Sequence, residues 1–178
     1  MKTFHINLIV ILSLCTLIGC TPSREELQDQ ITQYEQSIIN TDVYSGQKST
    51  DTLIGLYTEY ANNYRTDSIT PTYLFRAADL ASNTGDADLA IELLNRIIST
   101  YPEYHDLAGC YFMIGYTYET NEQYDLAKEA YQIFVDKFPN HILAADTKKM
   151  IPYVGMPPEQ ILNILMDEIT NVELTEQQ

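Results

Sequence analysis

The chain has 178 residues, 45% of them hydrophobic, and carries 25 acidic against 10 basic side chains for a net charge of −15. That length suffices for one domain with a sizeable core. So acidic a surface excludes nucleic acid as a ligand and excludes charge-driven adsorption onto an anionic bilayer, since both reward basic patches.

Lys2 opens the chain with a positive charge, and Ile6 to Ile18 is an apolar run interrupted by Asn7, Ser13 and Thr16. The run is shorter than the roughly 20 apolar residues that a spanning helix needs. It has the length of a secretory signal instead. It ends in Leu17-Ile18-Gly19-Cys20, which resembles the lipobox of bacterial lipoproteins. The resemblance implies a signal peptide over 1–19, cleavage before Cys20, a diacylglyceryl group on the Cys20 thiol and an acylated (palmitate-type) amino terminus. Each buried methylene contributes about 0.8 kcal/mol, so two or three chains hold a protein that one chain would not. Thr21, rather than Asp, follows Cys20, which by the same resemblance points to the outer membrane. Ser23-Arg24-Glu25-Glu26 is similar to acidic tracts that send some lipoproteins to the cell surface, although Arg24 interrupts it. A periplasmic and a surface-facing location both stay open. Cys15 leaves with the signal and Cys20 is acylated, so Cys110 is left without a disulfide partner. Stability must come from packing.

The remainder reads as helical, with no alternating Val/Thr-rich runs and no Asn-Gly or Asp-Gly hairpin signal. Ser23 to Asn40 predicts a helix with Leu27, Ile31, Tyr34, Ile38 and Ile39 on one side, followed by a loop over 41–48 and a partner helix over 49–65. Thr70-Pro71 predicts an N-cap with Pro at the first helical position. Gly85 closes that helix in a left-handed conformation. Asp86 caps the next helix, which stops at Tyr101 before Pro102. Asp106 caps a third that ends near Asn121, and a fourth runs from about Gln123 to Phe138, before Pro139. Ile142 to Ile151 predicts a further helix stopped by Pro152 and Gly155. Pro157-Pro158 opens a last one carrying Ile161, Leu162, Leu165 and Ile169, expected to cap the array. Val172 to Gln178 is polar and expected to fray.

The helices repeat. A shift of 37 residues lays Leu74 on Tyr111, Ala78 on Gly115, Ala90 on Ala127, Leu94 on Tyr131 and Tyr101-Pro102 on Phe138-Pro139. A weaker copy upstream lays Leu53 on Ala90, Tyr57 on Leu94 and Tyr64 on Tyr101. Such a period signals a solenoid whose helical pairs bury their apolar faces by stacking. Tyr111, Ile114, Gly115, Tyr118, Ala127, Tyr131 and Pro139, and more loosely Leu74, Ala78, Ala81, Ala90, Leu94 and Pro102, resemble the pattern of tetratricopeptide repeats. The resemblance covers 72–139 and is tolerable from 49. It departs in its longer period, against about 34 for the family, and in Ile97 and Phe134 where a small residue is usual. It implies an all-α, right-handed α-α superhelix. The longer period is similar to that of envelope proteins, among them the lipoprotein of the β-barrel assembly machinery and the coordinator associated with Tol-Pal.

The expected organisation is a signal peptide (1–19), the lipidated Cys with an N-terminal helix and loop (20–48), repeats (49–140), a C-terminal helix pair and cap (141–170) and a frayed tail (171–178). Catalytic chemistry is not expected. His105 and His141 lack a third ligand for a metal. Cys110 lacks a placed base. Glu25-Glu26 and Asp167-Glu168 read as solvated charge, and no phosphate loop or nucleophile elbow is present. No cofactor is implied. By the family resemblance the concave groove would be lined by Phe75, Asp79, Asn83, Phe112, Tyr116 and Glu119. Aromatic rings among carboxylate and amide groups suit a peptide, one with a basic residue in particular. The expected function is an envelope-anchored scaffold binding another envelope protein or peptide segment. The alternatives are an accessory of outer-membrane protein assembly and, from a different class, a cell-wall-acting enzyme.

Overall fold

A computed structural model describes residues 22–40 and 46–176. The expected signal peptide (1–19), the lipidation site Cys20 and residues 41–45 of the expected loop lie outside the described residues. Among the described residues there are eight α-helices and no strand: α1 Arg24–Asn40, α2 Gly46–Asn63, α3 Thr70–Asn83, α4 Ala87–Thr100, α5 Leu107–Thr120, α6 Tyr124–Lys137, α7 Ala144–Met150 and α8 Pro158–Glu176. A 3₁₀ turn, Ile151–Tyr153, separates α7 from α8. Each helix from α1 to α6 packs on the next, and α3 also touches α5. Connections this short make neighbours antiparallel. Odd-numbered helices up to α7 are called A helices here, and α2, α4 and α6 B helices. The result is the all-α array of stacked pairs that the 37-residue period predicts.

The period is written into the backbone. At each B-to-A connector the same hydrogen bonds recur. Tyr64, Tyr101 and Phe138 donate their N–H groups back to Tyr60, Ile97 and Phe134, at 2.8 to 2.9 Å. Asp67, Tyr104 and His141 then donate to the carbonyls of Tyr64, Tyr101 and Phe138, and Thr70, Leu107 and Ala144 to those of Asp67, Tyr104 and His141, at 2.9 to 3.1 Å. Orphan carbonyls at each helix end are thereby satisfied without side chains. The A-to-B turns repeat as well. Asp86 N–H reaches Ala81 O and Gly85 N–H reaches Ser82 O, and 37 residues later Gln123 reaches Tyr118 and Glu122 reaches Glu119. This pair of bonds is the Schellman motif, which needs a left-handed residue after the helix. Gly85 takes that role at φ 85°, as expected, but in the next copy Glu122 takes it at φ 59°.

Asp86 and Asp106 cap α4 and α5 as expected, accepting from Leu89 N–H at 3.2 Å and Gly109 N–H at 3.1 Å. Thr70 does not cap α3. The cap position is Ile69, and Thr70 lies inside the helix, fully buried, with its hydroxyl donating to Tyr64 O. The hydroxyl serves the preceding connector rather than the helix it begins. α2 starts at Gly46, three residues before the expected 49, and ends at Asn63.

α1 is fastened to α2 along its length. Leu27 and Ile31 are buried, whereas Tyr34 stays 38% exposed. Ser23 and Glu26 form a reciprocal capping box, Ser23 N–H to Glu26 Oε2 at 2.7 Å and Glu26 N–H to Ser23 Oγ at 3.2 Å. The acidic tract is therefore also a helix start. Arg24 Nε pairs with Asp67 Oδ2 at 2.7 Å, and Tyr60 donates its hydroxyl to the same oxygen at 2.8 Å. Tyr64 donates to Pro22 O at 3.1 Å. Tyr57, Tyr60, Tyr64 and Tyr73 pack as a ring cluster with centroids 4.8 to 5.2 Å apart.

The other end of the array is cut short. α7 begins where a fourth helical pair would, but runs only seven residues before the Pro152-containing turn, since proline neither donates nor tolerates a preceding helical turn. The chain then folds back so that Val154 packs on Ala127 and Tyr131. The expected final helix is present as α8, and it continues to Glu176 through residues expected to fray. Its Leu162, Leu165 and Met166 are 57%, 41% and 57% exposed. Among the described residues it forms no packed pair with another helix of the kind that joins α1 to α7.

Candidate partner-binding site

The groove expected from the repeat resemblance depends on the A helices. α3 and α5 are held together by a buried hydroxyl pair, Ser82 Oγ and Thr117 Oγ1 at 3.0 Å. Phe75 and Phe112 occupy one repeat position on them, and Asp79 and Tyr116 the position one turn further on. Asn83 is exposed and donates its Nδ2 to Asp79 Oδ1 at 3.1 Å. Tyr116 is the open aromatic of the set, 38% exposed. Asp79, Asn83 and Tyr116 thus present a carboxylate, an amide and a phenol from two helices in contact.

The other three are placed differently. Phe75 is half-buried on the main core, 6.4 Å from the Tyr104 ring. Phe112 is also half-buried, its ring 5.4 Å from Tyr131 and 5.5 Å from Phe134. Its main role is to wall the core between α5 and α6. Glu119 sits at the repeat position of buried Ser82, one place short of the counterpart of Asn83. From there it accepts the hydroxyl of fully buried Tyr131 at 2.7 Å. Burial first, and the Glu119 carboxylate second, hold that phenol far above its ordinary pKa.

Reading along the chain missed two concavities. One, of about 270 Å³, lies between α4, α5 and α6 and is lined by Ile91, Tyr111, Ile114, Tyr118, Leu126 and Ile133, among others. Leu126 and Ile133 are 45% and 47% exposed. The signal lay in the repeat itself, where Ile133 replaces the Arg96 of the preceding copy. A larger one, of about 660 Å³, lies between the first two connectors, with Arg65, Asp67, Pro71, Tyr101, Tyr104 and His105 in its wall. None of the six groove residues lines either.

The residues weighed for catalysis have structural neighbours. The His105 ring packs edge-on against Tyr104 at 4.6 Å. His141 lies 5.4 Å from Phe134 and its Nδ1 accepts from Leu143 N–H at 3.3 Å. Cys110 is fully buried, and burial pushes its thiol up to about 12, so little thiolate forms at neutral pH. Among the described residues no group of three or more His, Cys, Asp or Glu is placed to hold a metal ion.

Residues 72–104 and 110–141 match the family model of the tetratricopeptide repeat. These two segments are tetratricopeptide repeats. Each match spans most of one A helix, the whole of one B helix and the start of the connector that follows. No curated protein matches the chain. Tetratricopeptide repeats are generally non-catalytic and bind other proteins or peptides, so this chain carries a protein-interaction scaffold. No helix among the described residues is long and apolar enough to cross a membrane.

Proposed function

We propose that this chain is a lipid-anchored tetratricopeptide scaffold of the bacterial envelope, held at the outer membrane by acyl chains on Cys20, that captures a peptide segment of another envelope protein. The capture surface is the A-helix face with Asp79, Asn83 and Tyr116. The observation that carries this reading is the register of that face: α3 and α5 touch, share a buried hydroxyl pair, and offer hydrogen-bonding groups at successive repeat positions. A carboxylate beside an open ring favours a segment with a Lys or Arg, and the net charge of −15 draws such a segment in. The Leu17-Ile18-Gly19-Cys20 sequence supports the anchor.

The test is crosslinking capture from intact envelopes with the acylated protein as bait. Enrichment of one envelope protein, reduced at least tenfold by Asp79→Ala with Tyr116→Ala while the melting temperature is unchanged, is the expected result. Capture indifferent to both changes refutes the surface. Phe112 is unsuited to this test because its ring is part of the core. The anchor is checked separately by the intact mass of the mature protein, which should begin at Cys20 and include its acyl groups.

A further inference from the structure

The connection between anchor and fold is very short. Only Thr21 separates Cys20 from Pro22, and two residues span at most about 7 Å. Pro22 is already part of the fold, because its carbonyl accepts from the Tyr64 hydroxyl at 3.1 Å, and Arg24 pairs with Asp67 at 2.7 Å. Tyr64 and Asp67 belong to the first B-to-A connector. The second connector is stitched to the first by Tyr101, whose hydroxyl donates to Arg65 O at 2.9 Å. The third repeats the same backbone ladder and presents Ile142, 87% exposed, and Leu143, 41% exposed. Antiparallel helices put all three connectors on one edge of the array, and the A-to-B turns at Gly85 and Glu122 on the other.

We propose that the connector edge lies against the lipid headgroups, with the A-to-B turns and the start of α8 on the side away from the bilayer. The inference rests on the Cys20 anchor proposed above. The edge has the chemistry of a bilayer interface. Ile142 is the most exposed large hydrophobic side chain among the described residues. Tyr101 and Tyr104 are half-buried rings with polar tips, the kind of side chain that settles at headgroup level. Arg24 and Asp67 neutralise one another there, and the remaining charges of the edge, Arg65, Glu103 and Asp106 with Glu25 and Glu26 at the start of α1, keep their hydration at the level of zwitterionic headgroups. A helix of 14 residues rises about 21 Å, which sets the far turns at that height. Val154 and Gly155, which lead into α8, pack on Tyr131 and Tyr124. Tyr124 begins α6 at the far edge. Asn83, the last residue of α3, is therefore at the outer end of the capture face.

The experiment uses the acylated protein, purified from cells and reconstituted into phosphatidylcholine vesicles with a lipid spin label near the headgroup. Ile142→Cys and Asn83→Cys each carry an environment-sensitive fluorophore. The Cys20 thiol is occupied by lipid and Cys110 is buried, so the label goes to the introduced thiol. Quenching at 142 at least threefold greater than at 83 is expected. Equal quenching at the two positions, in protein that floats with the vesicles, overturns the orientation and leaves the anchor standing. Protein that does not float with vesicles overturns the anchor and the orientation together.

Discussion

Gly115 and Tyr131 form a matched pair: a Cβ at Gly115 would stand 2.5 Å from Tyr131 Cδ1. One repeat earlier the same two places hold Ala78 and Leu94, both fully buried. The larger B-helix ring is accommodated by the loss of one methyl group on the A helix. Tyr131 cannot step aside, because its hydroxyl is held by Glu119.

Gly115→Ala should therefore destabilise the fold by about 1–2 kcal/mol, overpacking outweighing the roughly 1 kcal/mol that Ala contributes over Gly in a helix. Tyr131→Leu alone leaves a cavity and an unpaired carboxylate, costing about 2–4 kcal/mol. The double variant rebuilds the earlier pair and should cost about 1–3 kcal/mol less than the sum. Urea denaturation of the four proteins checks this, and simple additivity would refute the matched-pair account.

Glu122 occupies the left-handed position that Gly85 fills one repeat before. A side chain there costs roughly 1–2 kcal/mol. Glu122→Gly should stabilise the domain by about 1 kcal/mol, raising Tm by about 2–4 °C, and Gly85→Ala should lower stability by a similar amount. Calorimetry on both variants decides whether the backbone conformation is the cause.

The clamp on α1 should respond to acid. Burial alone would push the Asp67 carboxyl up, but hydrogen bonds from Tyr60 and Ile69 N–H and the charge of Arg24 outweigh it and hold it below the usual 3.8. A lowered folded pKa means the contribution is present above 3.8 and is lost as pH falls through the folded value. Amide exchange over α1 should accelerate in that acid range before the repeats unfold. Asp67→Asn should remove the pH step and leave α1 exchanging faster at neutral pH.

Alkali tests the buried phenols. Burial first, then hydrogen bonds to Glu35 and Glu119, raise Tyr57 and Tyr131 well above the ordinary value of 10. A raised folded pKa keeps its contribution intact below 10 and loses it as the unfolded chain ionises above that. Stability should decline as pH rises past about 10. Ultraviolet titration should show these two tyrosines ionising only together with loss of helical circular dichroism. Ionisation with the helices intact would contradict their burial.

Much of this was legible from residue order. Asp86, Asp106, Pro102 and Pro139 mark helix ends through local chemistry, and the period emerges because the connectors impose one backbone geometry at each step. What was not legible depended on neighbours distant in sequence. Thr70 looks like a cap, yet its hydroxyl is claimed by Tyr64. Glu119 looks like a groove residue, yet a one-place shift within the repeat turns it to Tyr131. The Ser23 and Glu26 capping box was readable and was obscured by counting the segment as charge. The exposed apolar residues of α8 have the spacing of a packed helix, and spacing alone does not say whether a surface waits to receive them.

The connector ladder has a consequence for how such a chain can change length. Its bonds use main-chain groups only, so a duplicated stretch of 37 residues entering at any connector would find donors and acceptors already in register on both sides. Growth at the carboxyl end is barred, because Pro152 halts the next unit after two turns. Descendants with longer or shorter arrays would be expected to vary in the middle and to keep both ends: a sentence lengthened by clauses, its first word and its full stop fixed.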